Sequence, residues 1–403
     1  MPVVTPASAE SGLPYRSAEW LRLALFCDSY LPQLNGVSLL LERLVAAVRA
    51  RGGAVRIYTT TDPHAVGDPD IRRWPSVSFW LYPEHRIALP TPASVRRELR
   101  AWRPTLVHAA SPFGMGLGAR AGARALGVPF VSSYHTSWSA YTQFYGLSAL
   151  GGSAWRYLRW FHNSGVRTYC PTHAVQDELE VHGISRSAIW SRGVDTARFS
   201  PAFRSQALRQ QLGADDSTVI AAYVGRLGAE KGLAVALEGM HAVRRRTGAR
   251  VICAIAGDGP YEAELRRMAP PDTIFVGRLA GRALSEFYAS ADLFIFPSAT
   301  DTFGNVLLEA MASGLPVVGA DVGPTRELLG DDRGLTFPAG DAAAFAARVN
   351  ELADAPARRA TLAAHALAFA GRRTWDAVFD ELLADYARVQ FGPPAPATTS
   401  QAA

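Results

Sequence analysis

Lysine is nearly missing from this chain of 403 residues: among its 41 basic side chains only Lys231 is a lysine. Where arginine is used everywhere else, Lys231 marks a position that calls for a compact ammonium on a flexible stem, not a planar fork of donors. Cysteine is scarce too. Cys27, Cys170 and Cys253 each lie in an apolar, strand-like run. They have neither the spacing of a metal site nor the even pairing of a disulfide framework, which points to a reducing, cytoplasmic setting. No stretch reaches the roughly 18 apolar residues of a membrane-spanning helix. Residues 1–20 carry Glu10 and Glu19 where a signal peptide needs an apolar core, so neither a span nor a leader is expected. Acids and bases nearly balance, and the formal charge of +5 favours anionic partners without naming one. No DNA- or RNA-binding signature accompanies it, so nucleic acid is not expected as a partner.

What is present is core-forming. Hydrophobic residues make up 48% of the chain, which is longer than a single core usually supports, so two domains are expected. From Leu21 onward, short apolar runs alternate with amphipathic stretches. Leu21–Cys27, Val55–Thr60, Thr105–Ala110, Pro129–Tyr134 and Val166–Cys170 read as strands. A second series comprises Val219–Val224, Val251–Ala256, Thr273–Val276, Leu293–Pro297 and Pro316–Gly319, separated by helical segments such as Leu233–Arg246. This is the rhythm of parallel sheets, and the fold class is α/β with two doubly wound Rossmann-like domains facing a central cleft. The domains are expected at 19–193 and 194–373, with a terminal helix at 374–391 returning to the first. Residues 1–18 and the Pro/Ala/Thr/Ser-rich tail 392–403 are expected to be disordered.

The most specific segment runs from Pro297 to Val318: a strand end, a loop carrying Asp301, then a helix opening near Gly304 and closing at Gly314-Leu-Pro316. A helix that opens beyond the carboxyl end of a strand presents free N–H groups, here Gly304, Asn305 and Val306, that suit a phosphate. One turn further in, Glu309 offers two oxygens to vicinal ribose hydroxyls. Read alone, Asp301 and Glu309 serve equally well as a loop charge and a solvated helix residue. Arg226 and Lys231 follow strand Val219–Val224 and project at the same kind of crevice. Two cations and a helix N-terminus together can hold a diphosphate. In the first half, Asn35-Gly36 follows the first strand and lets backbone approach an anion, although an ordinary strand-to-helix turn uses glycine too. His135 ends another strand, in the run Tyr134–Gly146.

Other signals carry less. Gly114-Met-Gly-Leu-Gly-Ala119 has the form of a dinucleotide fingerprint but lacks the acid about 20 residues on, and reads as close helix packing. Asp68-Pro69-Asp70 lies in a proline-flanked loop far from the other motifs, so no metal site is expected. A Schiff-base role for Lys231 would need an apolar pocket to lower its pKa, and the glycine-flanked turn beside Arg226 and Glu230 offers none.

Taken together, these residues resemble the retaining nucleotide-sugar glycosyltransferases of family 4, which have the GT-B fold, over about Leu21 to Val389. The family signature, two acids separated by seven positions before Ala-x-Ala-x-Gly-x-Pro-Val, stands here as Asp301 and Glu309, with Asp in place of the usual first Glu. The run Thr300-Asp-Thr-Phe-Gly-Asn305 resembles the branch that glycosylates diacylglycerol-type lipids, which includes lipid mannosyltransferases and sulfolipid synthases. The resemblance implies an acceptor-side first domain and a donor-binding second one. Arg226 and Lys231 would hold the donor diphosphate, Glu309 the ribose, and Asp301 with Phe303, Gly304 and Asn305 the sugar and its phosphate; Gly36 would contact the phosphate and His135 lie beside the sugar, with His135, Arg226, Lys231 and Asp301 as the catalytic residues. It implies transfer of a mannose- or glucose-type hexose to a hydroxyl with retention, without a protein nucleophile, a metal or a further cofactor. A 2-epimerase or a non-enzymatic nucleotide-sugar sensor on the same scaffold remains the alternative. The aromatic and arginine runs Trp155–His162, Arg72–Trp74 and Phe79–Tyr82 suggest peripheral contact with an anionic membrane at its inner face, where a lipid acceptor would be met. The spacing of Trp155, Leu158 and Phe161 is equally that of a buried helix face.

Overall fold

The computed structural model describes residues 17–33, 35–79, 82–135, 151–243 and 250–392. Its first sheet contains β1 (Arg22–Phe26), β2 (Ala54–Thr60), β3 (Ile71–Trp74), β6 (Leu106–Ala109), β7 (Phe130–Ser133), β8 (Arg167–Cys170) and β9 (Ser187–Ile189), in the order β3-β2-β1-β6-β7-β8-β9. The second contains β10 (Val219–Val224), β11 (Val251–Ala256), β12 (Thr273–Gly277), β13 (Leu293–Phe296), β14 (Val317–Ala320) and β15 (Gly334–Phe337), in the order β12-β11-β10-β13-β14-β15. All pairings in both sheets are parallel. Central strands such as Val-Ile-Cys-Ala-Ile-Ala in β11 are buried along their whole length because helices cover both faces. Strand order reverses between β1 and β6 and between β10 and β13, so each sheet opens a crevice at its carboxyl edge there. Edge strands β3, β9 and β15, short and less apolar, are not among the strands expected from the sequence.

The helix Trp375–Phe391 packs on the first sheet: Val378, Phe379, Leu382, Leu383 and Tyr386 share a core with Leu23, Leu25 and Leu41. Each fully buried side chain of this kind contributes about 1.5–3 kcal/mol, an ample reason for the chain to cross back. The two crossings lie side by side. Val194 N–H donates to the Arg373 carbonyl at 2.8 Å, and a Cβ on Gly193 would lie 2.6 Å from the Trp375 amide nitrogen. Only glycine fits that contact. Arg51 fastens the helix from the other side through Asp380 at 2.7 Å.

Ala18, which falls within the expected disordered terminus, is buried, and its N–H donates to the Arg51 carbonyl at 2.7 Å. Residues 1–16 and 393–403 lie outside the described residues, as do the run 136–150 beyond His135 and the end of the second-domain helix, described as Leu233–Val243. The glycines of Gly114–Leu126 pack closely: a Cβ on Gly116 would lie 1.9 Å from the Ser111 carbonyl oxygen, and one on Gly122 2.8 Å from Leu99 and Val95.

Two of the runs read as interfacial are partly tied into the fold. In the helix Gly151–His162, Leu158, Phe161 and His162 are buried, and Trp155 stacks on His182 at 3.7 Å, so the amphipathic spacing is mainly that of a core face. Trp160 alone of the large apolar side chains turns outward, 48% exposed. Trp74 is likewise tied in, donating from its indole to Ser94 Oγ at 3.3 Å. Phe79 and Tyr82 belong to a separate antiparallel hairpin, β4 (Val77–Phe79) with β5 (Tyr82–Ile87), which follows the cleft-side end of β3.

Candidate active site

The site is assembled from loops at the carboxyl edges of both sheets. After β10 the chain passes through Gly225 and Arg226 into a tight turn, Ala229–Lys231, closed by Gly232 at φ +71°. A Cβ at Gly232 would sit 2.4 Å from the Pro297 carbonyl oxygen, so this glycine lets the turn lie directly on the loop that follows β13. Lys231 Nζ then reaches Asp301 Oδ1 at 2.7 Å, with both side chains largely covered. Arg226 pairs with Glu230, whose carboxylate is buried, and keeps 42% of its own side chain exposed. Thr300 Oγ1 donates to the Glu230 carbonyl at 3.3 Å and knits the two loops together.

The helix Asn305–Ala312 opens where the sequence places it. Gly304 caps it at φ +80°, a left-handed conformation, with room for a Cβ only 2.7 Å from the Phe296 ring. Phe303 departs from its expected place. Its ring is buried in the second-domain core, so only its backbone faces the cleft. The ring also lies under the Arg192 guanidinium, 5.9 Å from centroid to carbon. Across the cleft, Asn35 caps the helix Gly36–Ala50, accepting from Val37 and Ser38 N–H at 3.0 and 2.9 Å, while Ser38 Oγ accepts from Asn35 N–H. A Cβ on Gly36 would lie 3.9 Å from Asn305 Nδ2. Two helix N-termini therefore face each other, each contributing partial positive charge to the same gap.

Glu309 lies one turn inside. It accepts from Tyr288 O–H at 2.9 Å, and burial pushes its carboxyl up from the ordinary 4.5 to about 6, against the pull of that hydrogen bond and of Arg198 and Arg43. A half-buried carboxylate with one oxygen committed to Tyr288 retains acceptor capacity for ligand hydroxyls.

His135 is the most constrained residue of the set. Its carbonyl accepts from Thr302 Oγ1 of the second domain at 3.0 Å. Its ring meets Arg192 through Nδ1 at 3.1 Å and Ser133 Oγ through Nε2 at 2.8 Å. A guanidinium only donates, so Nδ1 accepts and the ring proton sits on Nε2. Ser133 therefore receives that proton's hydrogen bond and donates its own to His108 Nε2 at 2.9 Å, and His108 Nδ1–H donates to Tyr386 O–H at 2.6 Å. Burial holds His108 down at about 3; burial and then Arg192 keep His135 well below its ordinary 6.5, so both are neutral at pH 7. The ring of His135 is thus engaged by the protein on both nitrogens, and its carbonyl is the part that ties the domains together. In the first domain Asp28, just beyond β1, accepts from Met115 N–H at 2.8 Å and from Ser111 O–H at 2.5 Å, which fixes the start of the Gly114–Leu126 helix.

The structure thus gathers Gly36, His135, Arg226, Lys231, Asp301, Gly304, Asn305 and Glu309 around one cleft. Sequence reasoning missed Arg192, Tyr288, Thr302 and Arg198, which touch or face these residues. Arg192 lies in Trp190–Pro201, where only a domain boundary is legible, and Tyr288 stands on a helix with no motif. Among the described residues no group of three or more His, Cys, Asp or Glu is arranged to hold a metal.

Comparison with known proteins identifies the family. Residues 34–198 match Glycosyltransferase Family 4 and residues 204–368 match Glycosyl transferases group 1. A GDP-mannose-dependent alpha-mannosyltransferase of Corynebacterium glutamicum is 34% identical over 377 residues, covering 92% of this chain and 89% of that protein. Sulfoquinovosyl transferase SQD2 of Arabidopsis thaliana is 32% identical, covering 79% of this chain and 64% of that protein. Alpha-monoglucosyldiacylglycerol synthase of Streptococcus pneumoniae is 30% identical, covering 74% and 70%. The crystal structure of Anabaena HepE in complex with UDP shares the fold, with a TM-score of 0.73 at 20% identity, covering 91% of this chain and 99% of that one. Two matched halves, relatives aligned over most of the chain and the GT-B architecture lead to one conclusion: the chain belongs to the family 4 glycosyltransferases.

Proposed function

We propose that this glycosyltransferase moves a mannose- or glucose-type hexose from a nucleotide diphosphate sugar to a hydroxyl of a membrane lipid, with retention and without a metal. The observation that carries the donor half is the pair of facing helix N-termini at Gly36 and Gly304, flanked by Arg226 and Lys231, with Glu309 one turn away. Arg226 and Lys231 hold the diphosphate, Glu309 the ribose hydroxyls, and Asp301 with the backbone of Phe303, Gly304 and Asn305 the sugar and its phosphate. The sugar C1–O bond to the diphosphate breaks, the acceptor oxygen bonds to C1 on the same face, and the acceptor proton passes to the departing phosphate oxygen. The protein's contribution is preorganised positive charge where the leaving group becomes more negative.

The relatives' names, GDP-mannose-dependent in one case and diacylglycerol-directed in another, support a lipid acceptor and leave GDP-mannose and UDP-glucose as the donors to compare. They are all transferases, which leaves the 2-epimerase and sensor readings without support. Membrane contact is assigned to the cleft-side rim of the first domain, where Val66, Val77 and Leu89 are 86%, 72% and 77% exposed around the β4–β5 hairpin. Peripheral binding there, at the cytoplasmic face, delivers the lipid to the cleft. No helix among the described residues is long and apolar enough to cross a membrane.

The test is thermal unfolding with GDP and UDP, followed by product analysis with diacylglycerol vesicles and the matching sugar donor. A nucleotide at 100 times its dissociation constant adds about 2.7 kcal/mol to the folded state. No stabilisation by either nucleotide, or donor turnover that ignores lipid, refutes the proposal.

A further inference from the structure

The first domain carries a second concavity, far from the cleft. The helices Gly114–Leu126 and Gly151–His162 both start at the cleft side and end at the opposite, amino-terminal edge of the sheet, where β7 and β8 begin. Between their last turns lies a groove of about 930 Å³ lined by Arg120, Arg124, Arg156, Arg159, Trp160 and Asn163 among others. Its volume is that of a ligand site. No acid lines it, and the sequence contains no Asp or Glu between Glu98 and Asp177.

Four arginines share this groove without a counter-charge, whereas Arg204 and Arg209 share Asp292. Among the described residues none of the four forms a salt bridge. A cation near a helix C-terminus is favoured by the dipole, and that accounts for Arg124 and Arg159 in the last turns. The effect fades within one turn, so Arg120 and Arg156 need another reason. Arg120 is fixed against the Trp160 ring at 4.1 Å, and its buried Nε has no hydrogen-bond partner. A guanidinium held against an aromatic face, with an unpartnered buried donor and a pKa lowered by burial and then by nearby Arg124, is a site of uncompensated positive charge that suits an anion.

We propose that this groove is a binding site, separate from the donor cleft, for an anion presenting two or more closely spaced phosphate groups. Planar guanidinium forks bind phosphate oxygens in pairs, and four of them exceed the need of a single carboxylate. A soluble polyphosphate and the phosphates of an anionic lipid surface share this chemistry. The site faces away from the cleft, so it is not the route by which an acceptor enters.

The experiment titrates tripolyphosphate calorimetrically into the wild-type protein, into Lys231→Ala, which weakens the donor diphosphate site, and into Arg120→Gln/Arg156→Gln. Parallel flotation uses phosphatidylglycerol and phosphatidylcholine vesicles. Binding retained in Lys231→Ala and weakened at least about tenfold in the arginine variant is expected. Flotation on phosphatidylglycerol alone, lost in the same variant, assigns the site to lipid phosphates. Arg156→Gln by itself, an exposed change, repeats the test if the double variant does not fold. Binding lost in Lys231→Ala but indifferent to the arginines places the anion in the donor cleft and overturns the proposal. Failure of both tripolyphosphate and vesicles to bind overturns it as well.

Discussion

Glu309→Gln separates what the site needs from what the fold prefers. Burial holds the Glu309 carboxyl at about 6 in place of the ordinary 4.5. A carboxyl raised in this way binds more protons in the folded chain than in the unfolded one, so its ionisation destabilises the fold above pH 6. That penalty is relieved as the pH falls toward 4.5. At about 1.36 kcal/mol per unit, it amounts to about 2 kcal/mol at pH 7. Glutamine has the shape of the neutral acid and still offers Tyr288 an acceptor. Glu309→Gln is therefore expected to stabilise the protein without ligand by about 2 kcal/mol at pH 7, or about 4–8 °C in the transition of the second domain. The gain shrinks as the pH is lowered. Buried His108 and His162, held near 3, reduce stability below pH 6.5 in wild type and variant alike, and cancel in the difference. Calorimetric scans of both proteins from pH 7 to 5 make the comparison. The same substitution removes a charged acceptor from the ribose and is expected to weaken nucleotide binding by about 10- to 100-fold, the worth of one or two such hydrogen bonds. A variant less stable than wild type at pH 7, or one whose gain does not depend on pH, refutes the reasoning.

Three further outcomes are expected. Lys231→Ala should lower kcat by about 10²- to 10³-fold, as removal of one charge-stabilising donor does, with little change in Tm; unaltered turnover would remove it from the site. Gly304→Ala forces an L-residue into φ +80° with its Cβ 2.7 Å from Phe296. It should cost about 1–3 kcal/mol in denaturant unfolding and reduce activity by shifting the helix start, whereas wild-type stability would show that the loop has other room. Arg192→Gln removes the cation beside His135 and should raise the pKa of that ring, which burial still holds below 6.5, read from nitrogen-15 chemical shifts; an unmoved titration would show that Arg192 does not depress it.

Much of the fold was legible because each strand at the centre of a sheet buries both faces and so reads as an unbroken apolar run. Strands β10, β11 and β13 are read to within a residue for this reason. Edge strands β3, β9 and β15 escaped the same reading, unlike β12: Ile71-Arg-Arg-Trp74 in β3 has a solvated side and no apolar run. Helix spacing in Trp155–His162 was visible, but spacing alone does not say whether a stripe faces core or solvent. Packing against β8 and His182 decided it.

For the site, the sequence by itself determined the residue types placed beyond the strand ends: one lysine, an arginine, a glycine-opened helix and two acids with seven residues between them. Local chemistry is sufficient there, because a turn needing positive φ and a helix needing a cap leave their marks within a few residues. Tertiary structure alone decided which partners complete them. Lys231 meets Asp301, Tyr288 meets Glu309, Gly36 meets Asn305, and His135 is held between Arg192 and a chain of hydrogen bonds ending at Tyr386. These contacts join segments from tens to hundreds of residues apart, and no local propensity encodes them; they exist because two sheets and a returning helix bury their apolar faces together.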